Sequence, residues 1–145
     1  MPRTILACFA HPDDETFLAG PLLARYAAEG VRVELLCGTP PESDAGIRSV
    51  ARRSELECAA SVIGIAGVRF LGYADYSMRS AMDNERDLLA AVPLDELARL
   101  IASVMEEVEP DVGVIDSQYG AYGHPDHVVM HRAAAAAFEL VLKSK

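Results

Sequence analysis

The chain has 145 residues, 51% of them apolar, with 13 basic against 22 acidic side chains and a net charge of −9. That is the size of one domain with one core, and the acidic balance argues against a nucleic-acid partner, whose phosphates call for massed Lys and Arg. No apolar run reaches the ~18 residues that span a bilayer, and the start reads as no leader, so a cytoplasmic, soluble protein without membrane insertion is expected.

TILACFA (4–10) is a short apolar run with β-branched content and predicts strand one. ETFLAGPLLARYAAEG (15–30) carries apolar residues at helical spacing and stops on Gly30, with Pro21 either bending the helix or sitting near its first turns. VRVELLCG (31–38) is strand two. GIRSVARRSELECAASVIGI (46–65) predicts a long amphipathic helix with Val50, Leu56, Ala60 and Ile63 near one stripe. Its clustered arginines, Arg48, Arg52 and Arg53, call for a local explanation in so acidic a chain.

VRFLGY (68–73) is strand three, and 74–92 has no clear period, so a loop or a short helix is expected there. PLDELARLIASVMEEVEP (93–110) predicts a helix, with Pro93 at its start, acids in the first turn and Pro110 beyond its end. DVGVIDS (111–117) is strand four, and HPDHVVMHRAAAAAFELVLKSK (124–145) a closing helix whose five alanines have high helix propensity. Cys8, Cys37 and Cys58 form no CxxC pair and sit in apolar segments, so buried, reduced thiols are expected.

Four alternations of strand and helix predict an α/β, Rossmann-like, three-layer fold: a mainly parallel sheet of order 3-2-1-4 with helices on both faces. In that order strands one and four are neighbours at the switch point, where ligands bind beyond the carboxyl ends. The loops AHPDDE (10–15) and YGAYGHPDH (119–127) would therefore meet. They hold three of the four histidines in the chain, His11, His124 and His127, with His131 the fourth.

Histidine and aspartate together suit Zn²⁺ or a similar divalent ion, and a catalytic zinc takes three protein ligands and leaves one position open. His11 and Asp14 can point the same way across a turn, with His124 or His127 as the third ligand. The ion would offset the repulsion among Asp13, Asp14 and Glu15. Asp13 stands where a base is needed for an attacking water. A histidine kept off the metal could stabilise an oxyanion or protonate a leaving amine. Together these parts describe hydrolysis of an amide or ester.

Simpler roles compete for each residue. Asp13 could cap the first helix. Glu15 reads as a first-turn acid favoured by the helix dipole. Asp126 either orients a ligand histidine from behind or caps the last helix. His131 makes an i, i+4 pair with His127, but the Glu of an HExxH helix is missing, so it is expected on the helix surface or behind a ligand. A nucleotide-binding reading fails because strand one runs into AHPDDE instead of GxGxxG.

AHPDDE with GHPDH (123–127) resembles the LmbE-like, or PIG-L, family of zinc-dependent N-acetylglucosaminyl deacetylases. RRSELECAASVIGI and LGYAD resemble further family segments, and the likeness covers nearly the whole chain. It implies His11, Asp14 and His127 as zinc ligands, Asp13 as general base and His124 as the group that stabilises the oxyanion or protonates the amine. It places Asp126 in support of a neighbouring histidine, Arg52 on substrate and Asp75 near the sugar pocket.

The expected activity is removal of the acetyl (acyl) group from an N-acetylglucosamine-type conjugate, with Zn²⁺ or another divalent ion such as Fe²⁺ as cofactor. The alternative is a non-catalytic or incomplete metal-binding module of the same fold. The resemblance implies one domain over 1–145 without the C-terminal extension of relatives, hence a minimal member, a truncated chain, or a subunit of a homo-oligomer whose neighbour completes the pocket. The two prolines of GTPPESDAG (38–46) also depart from the family's glycine- and acid-rich loop.

Overall fold

The computed structural model describes residues 3–43, 48–81 and 83–144. Among these residues four strands, β1 (Thr4–Phe9), β2 (Arg32–Cys37), β3 (Gly67–Phe70) and β4 (Val112–Ile115), form one sheet of order β3-β2-β1-β4. All three pairings are parallel, so the expected order and direction both hold. The helices are α1 (Asp14–Ala28), α2 (Arg48–Ile63), α3 (Leu94–Val108), a single distorted turn α4 (Gly120–Gly123) and α5 (Pro125–Ser144).

Successive side chains of a strand point to opposite faces, and the core divides accordingly. Ile5, Ala7, Phe9, Val33 and Leu35 pack with Leu23 of α1 and with Leu56 and Ile63 of α2. Leu6, Cys8 and Leu36 pack with Leu97, Ile101 and Met105 of α3 and with Met130, Ala133, Ala134 and Ala137 of α5. Burial on both faces is why the strands read as continuous apolar runs, and each fully buried Leu or Ile contributes about 1.5–3 kcal/mol. The small buried side chains of the alanine run let α5 lie close against its neighbours. Gly113 belongs to the same packing, since a Cβ there would stand 2.0 Å from the Phe138 ring.

Leu97, Ala98, Ile101, Ala102, Met105 and Val108 form the buried stripe of α3, which ends on left-handed Glu109 (φ 50°) ahead of Pro110. Pro21 lies inside α1 on its exposed side, where a missing N–H leaves a carbonyl to water. The described residues of 74–92 form an irregular passage with 3₁₀ turns at Tyr76–Met78, Glu85–Asp87 and Leu89–Ala91. Of the predicted second helix, Gly46 and Ile47 lie outside the described residues, as does part of the proline-bearing loop before it.

One expectation fails. Cys8 and Cys37 are buried, and burial pushes the Cys8 thiol up to about 12 and raises Cys37 as well, but Cys58 is exposed. Cys58 follows Leu56 by two positions, about 200° around the helix, so it faces water while Leu56, Ala60 and Ile63 face the core.

Candidate functional site

The loops after β1 and β4 leave the same end of the sheet, because Cys8 and Ile115 are in register at the ends of adjacent strands. The first loop turns within three residues. Asp13 has φ 124°, a value uncommon for a residue with a side chain. Buried groups brace the turn: Asp14 Oδ2 accepts from the His11 amide at 2.8 Å, and Glu15 Oε2 accepts from the Asp13 amide at 2.9 Å. Thr16 Oγ1 donates to Glu15 Oε1 at 2.7 Å, and Glu15 is only 1% exposed. Glu15 is thus a first-turn acid that also holds the turn from beneath.

Asp13 makes no side-chain cap bond, so helix capping is not its role. Its carboxylate faces outward, where Arg52 Nη2 donates to Oδ2 at 3.0 Å and approaches the Pro12 carbonyl at 3.5 Å. The neighbouring Arg53 pairs with Glu42 at 2.5 Å. These contacts give Arg52 and Arg53 local acidic partners.

Three expected ligands converge. His127 Nε2 lies 3.1 Å from His11 Nδ1 and 3.5 Å from Asp14 Oδ2, and His11 Nδ1 lies 3.7 Å from that oxygen. His11 Nε2 faces the other way, 3.0 Å from Asp126 Oδ2 and 3.2 Å from Asp75 Oδ2. Asp126 is fully buried and also accepts from the Tyr76 amide at 2.8 Å, while its Oδ1 has no partner among the described residues. Asp75 additionally caps the first 3₁₀ turn by accepting from the Ser77 amide.

His124 stands nearer the mouth, its ring 4.8 Å from that of His11 and 5.1 Å from that of His127. The Asp126 amide donates to its Nδ1 at 3.2 Å, which leaves the proton of a neutral ring on Nε2. His131 does not face the cleft group; its Nδ1 lies 2.7 Å from the Asp116 carbonyl. Asp116, which sequence reasoning misses, is buried with Oδ2 at 2.5 Å from His127 Nδ1. Its only sequence signal is an acid closing the apolar run of strand four. Gly120 (φ 63°) lets the second loop pass close to α5, since a Cβ there would meet Val128 Cγ2 at 2.6 Å.

Burial works against charge on His11, yet the hydrogen bond with Asp126 and the charges of Asp75 and Asp14 outweigh it and hold its pKa above the ordinary 6.5. Burial likewise raises Asp14, against the lowering effect of the His11 amide and His127. Burial, followed by the neighbouring His11, lowers His124, so its ring is neutral at neutral pH in the metal-free protein. Burial works to raise Asp75, but the Ser77 amide and His11 hold it below the ordinary carboxylate value.

A tetrahedral zinc with ligands at about 2.0–2.2 Å spaces them roughly 3.3–3.6 Å apart. The His11, Asp14 and His127 atoms, separated by 3.1–3.7 Å, fit that spacing. Among the described residues two overlapping groups also come within 4.8 Å, His11 with His124 and His127, and His11 with Asp75, His124 and Asp126. The first set has the better claim because it pairs two imidazoles with a carboxylate, while His124 Nδ1 is already engaged by an amide. The cleft above, about 390 Å³, is lined among others by Asp13, Phe17, Arg52, Asp75, Tyr122 and His124.

Residues 6–138 match the family described as PIG-L, GlcNAc-PI de-N-acetylase. A 1D-myo-inositol 2-acetamido-2-deoxy-alpha-D-glucopyranoside deacetylase from Thermobispora bispora is 39% identical over 157 aligned positions, covering 95% of this chain and 52% of its own. The crystal structure of the conserved protein TT1542 from Thermus thermophilus superposes with TM-score 0.75 at 29% identity, over 94% of this chain and 55% of that one. N,N'-diacetylchitobiose deacetylase from Pyrococcus horikoshii shares the fold, with TM-score 0.72 at 22% identity, over 98% of this chain and 50% of that one. The chain thus spans about half the length of the curated relatives it matches.

Proposed function

The chain belongs to the PIG-L family of de-N-acetylases, and from that premise we propose that it is a divalent-metal-dependent hydrolase that removes the acetyl group from an N-acetylglucosamine-type conjugate. The observation that carries this reading is the convergence of His11 Nδ1, Asp14 Oδ2 and His127 Nε2 within 3.7 Å, with Asp13 on the rim of the same cleft. These three residues would hold the ion, Zn²⁺ by preference and Fe²⁺ as an alternative. When bound, it supplies Lewis acidity and makes a water easier to deprotonate.

The residues of the chain do the rest. The Asp13 carboxylate accepts the proton of the water that adds to the amide carbon, and its outward orientation is fixed from below by Glu15 and from the side by Arg52. The Nε2–H of His124 donates to the oxygen on which negative charge develops. That choice between its two expected roles follows from the amide on Nδ1 and from its lowered pKa, which disfavour a standing imidazolium. The C–N bond then breaks, the leaving amine takes the proton held on Asp13, which regenerates the carboxylate, and acetate and a free amino sugar result. Arg52 and Asp75, on the cleft wall, are assigned to substrate hydroxyls, and Asp126 to orienting His11 from behind.

Acetate release from N-acetylglucosaminyl inositol and from N,N'-diacetylchitobiose, with zinc supplied, tests the activity. Asp13→Ala should lower turnover by about 10²–10⁴-fold, the usual weight of a positioned base, with metal content by elemental analysis unchanged. Full activity in that variant removes the base assignment. The second reading is a metal-binding module of the same fold without catalysis, for which the clustered histidines and carboxylates alone would suffice. Stoichiometric metal with no turnover on an N-acetyl sugar panel would select it.

A further inference from the structure

His127 and His131 are four residues apart on α5, so their rings lie along one side of the helix. They close on a single residue at the end of β4. His127 Nδ1 lies 2.5 Å from the Asp116 carboxylate, and His131 Nδ1 lies 2.7 Å from the Asp116 main-chain oxygen. The other carboxylate oxygen of Asp116 accepts from the Ser117 amide at 2.6 Å. Asp116 is thereby held at both its side chain and its backbone, and it is 8% exposed.

Carbonyl and ionised carboxylate oxygens only accept, so in both rings the proton sits on Nδ1. A neutral His127 then carries its free lone pair on Nε2, the atom that faces His11 Nδ1 and Asp14 Oδ2. We infer that Asp116 and His131 are positioning residues: a two-point clamp that fixes the tautomer and aim of His127 before any ion arrives. The inference deepens the proposed function, resting on the assignment of His127 as a metal ligand. It gives the second histidine of the pair a role that is neither ligand nor surface decoration.

Without the Asp116 acceptor the other tautomer becomes available, which puts a proton where the ion must bind. Partners of this kind typically weigh about 10–100-fold in metal affinity.

Long-range ¹H–¹⁵N correlation spectra of the metal-free protein read the tautomer directly, and competition with a chromophoric chelator reads zinc affinity. Asp116→Ala should shift His127 toward the Nε2–H form and weaken zinc by about 10–100-fold. His131→Phe should weaken zinc to a smaller degree, and His131→Gln, whose amide can still donate to the carbonyl, should restore it. His127 remaining Nδ1–H in Asp116→Ala, or wild-type zinc affinity in both Asp116→Ala and His131→Phe, overturns the clamp. Should the wild-type chain bind no zinc, the metal reading falls, and the tautomer spectra still decide the clamp. If Asp116→Ala fails to fold, the Phe and Gln pair at position 131 decides it.

Discussion

The two loops that meet at the cleft bring the same residue types and are built in opposite ways. The loop after β1 packs its chemistry into five consecutive residues, His11 to Glu15, and buries all but Asp13, with His11, Asp14 and Glu15 at 7% exposure or less. The loop after β4 carries its histidines and carboxylates only at its ends, Asp116 and His124 to His127. Between them runs an arch in which Tyr119 and Tyr122 are 72% and 80% exposed. Gly120, Ala121 and Gly123 of that arch all have positive φ. The difference separates a braced floor from an open wall. Changes to the floor should act on chemistry, and changes to the arch chiefly on stability.

The largest expected effect is on the floor. Glu15→Ala removes the acceptor that holds the Asp13 amide and frees a turn with φ 124°. Misplacing a catalytic group by about 1 Å can cost about 10²-fold, so kcat should fall by that order with zinc content unchanged, while Glu15→Gln, still an acceptor, keeps most activity. Loss of the metal in Glu15→Ala would instead mean that the brace serves the ligands.

A second prediction compares the loops through their histidines in metal-free protein. His11, on the floor, has a folded pKa above 6.5, so its stabilisation is full below that value and is lost as pH rises through the folded pKa. His124, on the wall, has a folded pKa below 6.5, so its protonation on acidification costs stability. The histidine contribution to melting temperature in a chelator should therefore peak near pH 6.5. His11→Asn should remove the alkaline decline, and His124→Asn should ease the acid one.

The smallest effect belongs to the arch. Ala121 sits at φ 56°, ψ −85°, a conformation that glycine enters with less strain. Ala121→Gly should raise stability by no more than about 1 kcal/mol in thermal melts. A large loss of stability there would show that the arch is itself braced, and the contrast between the loops would fail.

The sheet order and the pairing of AHPDDE with GHPDH are legible in the sequence because apolar runs and turn residues alternate so regularly. Asp116 is not legible, because an acid closing a strand looks the same whether it faces water or a histidine. Its contact with His127 spans eleven residues and depends on the positive-φ arch between them. Glu15 is only half legible: its place in the first turn follows from sequence, but its burial beneath Asp13 depends on the strained turn. Cys58 is misplaced when the apolarity of its neighbours is weighed without their helical phase.

The contact between His11 and His127 joins residues 116 positions apart, through the β1–β4 pairing. Contacts of such separation are slow to form because the loop entropy must be overcome first. The proposed ligand set is consequently a product of completed topology: a chain that has not yet seated β4 beside β1 holds only His11 and Asp14, two of its three members. An ion needing all three residues would bind the native state in preference and stabilise it with the logarithm of its concentration, by up to about 2.7 kcal/mol at a hundred times its dissociation constant. A metal held in the cleft would therefore couple its own supply to the folding equilibrium of the whole sheet.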